Sequence, residues 1–200
     1  MPYNLIVIGC SLGGLKALQT LLSGMTRACS TPVVIVQHRD RDINTGGLLS
    51  QILQKSSGMV LEEAEDKTPI VPSHIYLAPA DYHLLVEQDR LQLSTEMPVA
   101  YARPSIDVAF ESAARCYGES LIGVILTGAG SDGANGLAHI ERRGGITIVQ
   151  DPSTAEQPSM PRAAIAATRC AKVLPLDSIA SYLASLNNNG ERKNASRATR

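Results

Sequence analysis

Two hundred residues are enough for one domain with a substantial core, and a formal net charge of -1 gives no electrostatic reason to expect nucleic acid or an anionic membrane surface as partner. No apolar run approaches the length of a membrane span, and the first one stops at Gly9, too short for a secretory signal, so a cytoplasmic protein without membrane insertion is expected. Cys10, Cys29, Cys116 and Cys170 are widely spaced with no C-x-x-C pair, and read as buried reduced thiols rather than zinc ligands or a disulfide framework.

The chain opens on the apolar run Leu5-Ile6-Val7-Ile8, then Gly9-Cys10-Ser11-Leu12-Gly13-Gly14, then Leu12, Leu15, Leu18 and Leu22 at helical spacing. Strand, tight glycine turn and helix can lift a serine out at the strand's carboxyl end in front of a helix amino terminus, as a nucleophile is presented. The same unit can cradle a phosphate or be a merely structural turn. A dinucleotide fingerprint is disfavoured, because Ser11 holds the middle glycine position and the next strand, Val33 to Gln37, leads to His38 rather than to an acid. Cys10 is a rival nucleophile, although the glycine spacing centres on Ser11.

Thr45 can cap a helix with Leu48, Leu49, Ile52 and Leu53 on its apolar face, before a short strand at Val60 to Glu62. Short runs at Ile75 to Ala78, Leu84 to Glu87 and Leu91 to Leu93, broken by Pro72, Pro79 and Gln88-Asp89, read as an antiparallel hairpin insert. A helix from Ser105 to Cys116 precedes the almost wholly apolar Leu121 to Leu126, the mark of a buried parallel strand. A second glycine-rich turn, Thr127 to Gly133, then starts a helix to Arg143 and a strand from Ile146 to Val149. Helices at Met160 to Ala167 and Ser178 to Leu186 flank a strand at Lys172 to Leu174. Residues 1–186 are therefore expected to form a three-layer α/β/α sandwich around a mostly parallel, doubly wound sheet, and residues 187–200, polar and basic, a disordered tail.

In such a sheet the residues that follow the strands share one edge. Ser11, His38 and Asp132 then supply a nucleophile, a base and a carboxylate that fixes the imidazole's tautomer, with backbone N–H groups of Leu12 and of the Gly128 to Gly130 loop, Ala129 included, facing a developing oxyanion. His38 can equally be a hydrogen-bonded rim residue, and Asp132 an Asx turn or helix cap. Asp40 and Asp42 are rival carboxylates, and His83 can line a substrate cleft. The histidines show no metal-ligand pairing, and neither metal nor organic cofactor is expected. The chain order Ser, His, Asp also disfavours an ordinary α/β-hydrolase.

From Asn4 to Leu186 the chain resembles the catalytic domain of the chemotaxis protein-glutamate methylesterases, the CheB family. The likeness is carried by Ile8-Gly9-Cys10-Ser11-Leu12-Gly13-Gly14, Val36-Gln37-His38, Ala64-Glu65-Asp66, Ile75 to Pro79, Arg103-Pro104-Ser105-Ile106-Asp107, Gly123 to Gly128, Asp132-Gly133 and Met160 to Ala164. The resemblance puts the family's catalytic serine, histidine and aspartate on Ser11, His38 and Asp132. It implies hydrolysis of γ-methyl glutamate esters on cytoplasmic chemoreceptor helices to glutamate and methanol, with deamidation of receptor glutamines as a second activity. A catalytically weak, CheB-like signalling or binding module is the alternative. Leu12 stands where family members commonly have threonine and Ala129 where methionine is common, so rate and substrate fit are expected to differ. Family members usually carry a phosphoacceptor receiver domain ahead of the catalytic one. Here the first strand starts four residues after Met1, so activity is expected to be unregulated or controlled by a separate protein.

Overall fold

Side-chain alternation along a set of parallel strands divides the core in two, as a sheet buried on both faces requires. In the computed structural model, residues 3–25, 30–39 and 46–186 are described. Strand β1 (Leu5–Cys10) sends Leu5 and Val7 to one face and Ile6, Ile8 and Cys10 to the other. Around it run β2 (Val33–Gln37), β3 (Val60–Glu63), β4 (His74–Leu77), β7 (Leu121–Ile125), β8 (Ile146–Gln150) and β9 (Lys172–Leu174), in the order β3-β4-β2-β1-β7-β8-β9. Every pairing in this seven-stranded sheet is parallel.

Helices α1 (Gly14–Gly24), α2 (Gly46–Lys55) and α6 (176–186) cover the Ile6 and Ile8 face with Leu18, Leu22, Leu53, Ile179 and Leu183. Helices α3 (Ile106–Tyr117), α4 (Ala134–Arg142) and α5 (Ser159–Ala167) cover the Leu5 and Val7 face. The antiparallel hairpin of β5 (His83–Glu87) and β6 (Arg90–Ser94) joins this second layer through Leu84, Val86 and Leu91. The expected three layers and the hairpin insert are both present.

The expected insert was drawn too wide. Ile75 to Leu77 belong to β4, paired with β2 and β3 inside the main sheet, because three consecutive buried side chains fit a strand covered on both faces. Helix α1 starts at Gly14, two residues later than the leucine spacing suggested, and its buried face is Ala17, Leu18, Leu21 and Leu22, leaving Leu12 exposed. Cys116 and Cys170 are exposed, contrary to the expected buried thiols, whereas Cys10 is fully buried. Cys29, Asp40, Asp42, the cap at Thr45 and the expected tail 187–200 lie outside the described residues.

From β1 the chain passes to β2, out to the edge strand β3 and back to β4 between them, then crosses to the other side of β1 with β7. The two halves of the sheet therefore diverge at β1. Ligand sites of open α/β sheets form at such a switch point, beyond the strands' carboxyl ends.

Candidate active site

Ser11 is the first residue beyond β1, and its backbone N–H donates to the Thr127 carbonyl at 3.0 Å, tying it to the loop that leaves β7. Gly13, at φ 78°, carries the left-handed turn that lets α1 begin directly afterwards. His38 follows β2 and is held to the same edge by its N–H on the Cys10 carbonyl at 3.1 Å. Ser11 and His38 line one open cleft of about 640 Å³ together with Leu12, Lys16, Gln37 and Glu156.

Asp132 reaches His38 across the switch point. Its Oδ2 lies 2.7 Å from His38 Nε2, and since a carboxylate only accepts, Nε2 carries the hydrogen of this bond. The carboxylate sits on the amino terminus of α3, where Oδ2 also accepts the Ile106 N–H at 2.7 Å and Oδ1 accepts the Asp107 N–H and the Ser105 hydroxyl, each at 2.9 Å. Burial alone would raise the Asp132 pKa. The His38 hydrogen bond, the Asp107 and Ile106 N–H groups and the His38 charge outweigh it and hold the carboxyl below the ordinary aspartate range. A cap on the helix that follows was the other expectation, but α4 has Gly133 at its cap with no side-chain bond, and Asp132 serves the start of α3 and His38 instead.

Two backbone N–H groups, of Leu12 and Ala129, have no hydrogen-bond partner among the described residues. Gly128 is different, because its N–H is committed to the Gln157 carbonyl at 3.0 Å and is not available to a substrate oxygen. The loop is set by Thr127, whose hydroxyl donates to the Leu12 carbonyl at 3.0 Å and accepts the Gln157 N–H at 2.9 Å. Gln150, fully buried, fixes the same residue by accepting the Thr127 N–H at 2.8 Å while donating to the Thr154 carbonyl.

Cys10 faces the α1 layer with no exposed surface, and burial pushes its thiol up to about 12, so it is no nucleophile at neutral pH. His83 does not line the cleft. It is 2% exposed, its Nδ1 accepts the Ser105 N–H at 3.2 Å, and its Nε2 donates to the Met97 carbonyl at 3.1 Å, so it is a strut under the residue that caps α3. The supporting roles of Ser105, Thr127 and Gln150 carry no residue-level signature in the sequence. Among the described residues no three His, Cys, Asp or Glu side chains converge as a metal site, and no helix is long and apolar enough to cross a membrane.

Comparison with known proteins places this geometry in a family. The profile described as CheB methylesterase matches residues 6–183. A Leptospira interrogans protein, provisionally named protein-glutamate methylesterase/protein-glutamine glutaminase, is 46% identical over 190 residues, 94% of this chain and 97% of its own length. Protein-glutamate methylesterase FrzG of Myxococcus xanthus is 39% identical over 91% of this chain, which spans only 54% of that protein. The Thermotoga maritima CheB methylesterase catalytic domain superimposes with a TM-score of 0.85 at 30% identity, covering 93% of this chain and all of that one. The chain that brings Asp132 to His38 beside Ser11 belongs to the CheB methylesterase family.

Proposed function

We propose that this protein hydrolyses γ-methyl glutamate esters on the cytoplasmic helices of chemoreceptors, and acts on receptor glutamines by the same route. The observation that carries the reading is the half-buried 2.7 Å bond between Asp132 and His38, at the edge where Ser11 leaves its strand, in a chain of this family. Relatives named as both methylesterase and glutaminase support the substrate class.

Ser11 Oγ attacks the ester carbonyl carbon while its proton passes to His38 Nδ1. Asp132 holds Nε2–H and stabilises the imidazolium that forms. This reverses the nitrogen roles of the familiar protease triad, where the carboxylate holds Nδ1–H. The oxyanion is taken by the N–H groups of Leu12 and Ala129, each such donor being worth roughly 3 kcal/mol of barrier. Collapse breaks the C–O bond, and His38 returns the proton to the methoxide as methanol leaves. Water, deprotonated by His38 Nδ1, then attacks the acyl-enzyme, and glutamate is released with Ser11 restored. For a glutamine the leaving group is ammonia. A substrate on cytoplasmic helices puts the enzyme in the cytoplasm.

Methanol release from methylated receptor membranes tests this. Wild type is expected to release methanol and Ser11→Ala to lose the activity, with a fluorophosphonate labelling Ser11 in wild type alone. Equal rates from both proteins would remove Ser11 as nucleophile.

A further inference from the structure

Hydrolysis of an ester changes the charge of what the cleft holds. A methyl ester and water become methanol, a carboxylate and a proton that passes to solvent, so a neutral side chain enters and an anion leaves. In between, the oxyanion is balanced by the imidazolium of His38, and only the product carries a net charge. The product helix is otherwise identical to the substrate helix, and contacts made elsewhere along it hold both equally. Discrimination between them has to come from the cleft around the reacting side chain.

Glu156 is the one acidic group lining that cleft with Ser11 and His38 among the described residues. It lies between the short helical turn Pro152–Thr154 and α5, on a segment bolted to the oxyanion loop at the next residue. There the Gln157 N–H donates to the Thr127 hydroxyl at 2.9 Å, and the Gln157 carbonyl accepts the Gly128 N–H at 3.0 Å. Gly128 in turn stands against Ser11, since a methyl group on it would fall 2.9 Å from Ser11 Cβ. The Glu156 side chain folds over Gly13, where a methyl group would meet Glu156 Cβ at 2.8 Å and its Oε2 at 3.0 Å. Gly13 is two residues from Ser11, in Cα steps of about 3.8 Å, so the carboxylate lies within about 12 Å of the Ser11 Cα. It is exposed, and among the described residues it has no hydrogen bond or ion pair; Lys16, which lines the same cleft, does not pair with it.

We propose that Glu156 is a specificity residue that expels the product: its uncompensated carboxylate repels the newly formed glutamate and is indifferent to the neutral ester. A glutamine side chain, also neutral, is admitted as the ester is. The enzyme can then work in the presence of the helix it has just released. The inference rests on the methylesterase reading and adds discrimination between substrate and product to it.

The test uses one receptor fragment in two forms, methyl ester and glutamate at the reacting position, and reads the ratio of Ki for the glutamate form to KM for the ester in methanol release. The two forms share every other contact, so the ratio cancels any effect of a substitution on helix binding in general. At about 0.01 M salt, where charges act across about 30 Å, Glu156→Gln is expected to lower the ratio by about two- to fivefold, the range for charges facing each other in solvent. Glu156→Asp keeps the charge and is expected to retain most of the wild-type ratio. Raising the salt to about 1 M should bring the wild-type ratio down to that of Glu156→Gln. A ratio unchanged in Glu156→Gln, equal falls in both variants, or a wild-type ratio indifferent to salt would overturn product repulsion and leave the esterase standing. Failure of wild type to release methanol from the ester form would overturn both readings together.

Discussion

Asp132 and Asp107 exchange helix ends. Asp132, just ahead of α4, accepts the N–H groups of Ile106 and Asp107 at the start of α3, while Asp107 Oδ1, in the first turn of α3, accepts the Gly136 N–H in the first turn of α4 at 2.7 Å. Each carboxylate satisfies backbone donors its partner helix leaves open, and each faces the positive end of that helix's dipole. The residue holding His38 is thereby locked from two directions. Gly133, at φ 94°, supplies the left-handed step that brings Asp132 to this position immediately before α4.

Asp132→Asn keeps the shape but removes the charge that holds Nε2–H on His38. We expect kcat for methyl-ester hydrolysis to fall by roughly 10³–10⁴-fold with KM little changed. A loss below tenfold in steady-state methanol release would remove Asp132 from the mechanism.

The two aspartates oppose each other in pH dependence. The folded pKa of Asp132 lies below the reference value of 3.8, so its stabilisation is complete above that value and is lost as pH falls through the lower folded pKa. Asp107 is shifted upward, first by burial and further by the Asp132 charge, against the opposing Gly136 N–H bond, so its contribution declines as pH rises from 3.8 through its raised pKa. Asp107→Asn keeps an acceptor for Gly136 without the charge. Its Tm at pH 7 is expected to equal or exceed that of wild type, while Asp132→Asn loses part of the wild-type fall in Tm on acidification below pH 3.8. Thermal melts of the three proteins from pH 3 to 7 check both signs, and a clearly lower Tm for Asp107→Asn at pH 7 would contradict the first.

Thr127→Val removes the hydroxyl that joins the Leu12 carbonyl to the Gln157 N–H. We expect a loss of about 1–3 kcal/mol in stability, because both partners are left without their bond. The loops bearing Leu12 and Ala129 also lose their tie, so kcat should fall in a folded protein. Urea unfolding alongside steady-state kinetics separates the effects, and an unchanged kcat would show that the tie does not set the oxyanion donors.

A methyl group on Gly128 would sit 2.9 Å from Ser11 Cβ and 2.7 Å from Met160 Sδ. Gly128→Ala is therefore expected to cost about 1–3 kcal/mol in stability by overpacking, and to lower kcat by about 10²-fold by displacing Ser11. Fluorophosphonate labelling should slow in parallel. Labelling at the wild-type rate would mean that Met160 absorbs the strain alone.

Brief alkylation at pH 8 should modify Cys116 and Cys170, which are exposed, and leave Cys10 intact because its thiol is buried and shifted to about 12. Peptide mass spectrometry should find Cys10 unmodified while esterase activity persists. Activity lost in step with Cys10 modification would reopen it as the nucleophile.

Most of the fold was legible because each face of each strand repeats every two residues, and Leu121 to Ile125, buried throughout, could be little other than a central parallel strand. The edge position of Ser11, His38 and Asp132 followed from that alternation alone. What could not be read was which distant segments support these residues. The Asp132 interaction with α3 spans at least 25 residues, and His83 was misplaced because its partners, Ser105 and Met97, come from other segments. Cys116 and Cys170 were misjudged for the opposite reason: a cysteine's preference for burial is only statistical, and nothing local overrode it.

The central place of β1 also orders events in time. Its two neighbours differ greatly in chain separation: Ile6 pairs with Val33 on one side, but Leu5 pairs with Leu121 on the other. The β1–β2–β4–β3 half is assembled from short crossovers, and closing the loop to β7 carries the larger entropic cost. Ser11 and His38 belong to the early half, and Asp132 arrives with the late one. Catalytic competence is therefore expected to appear only once β7 has docked on β1, which refolding followed in parallel by ester hydrolysis and far-UV circular dichroism checks.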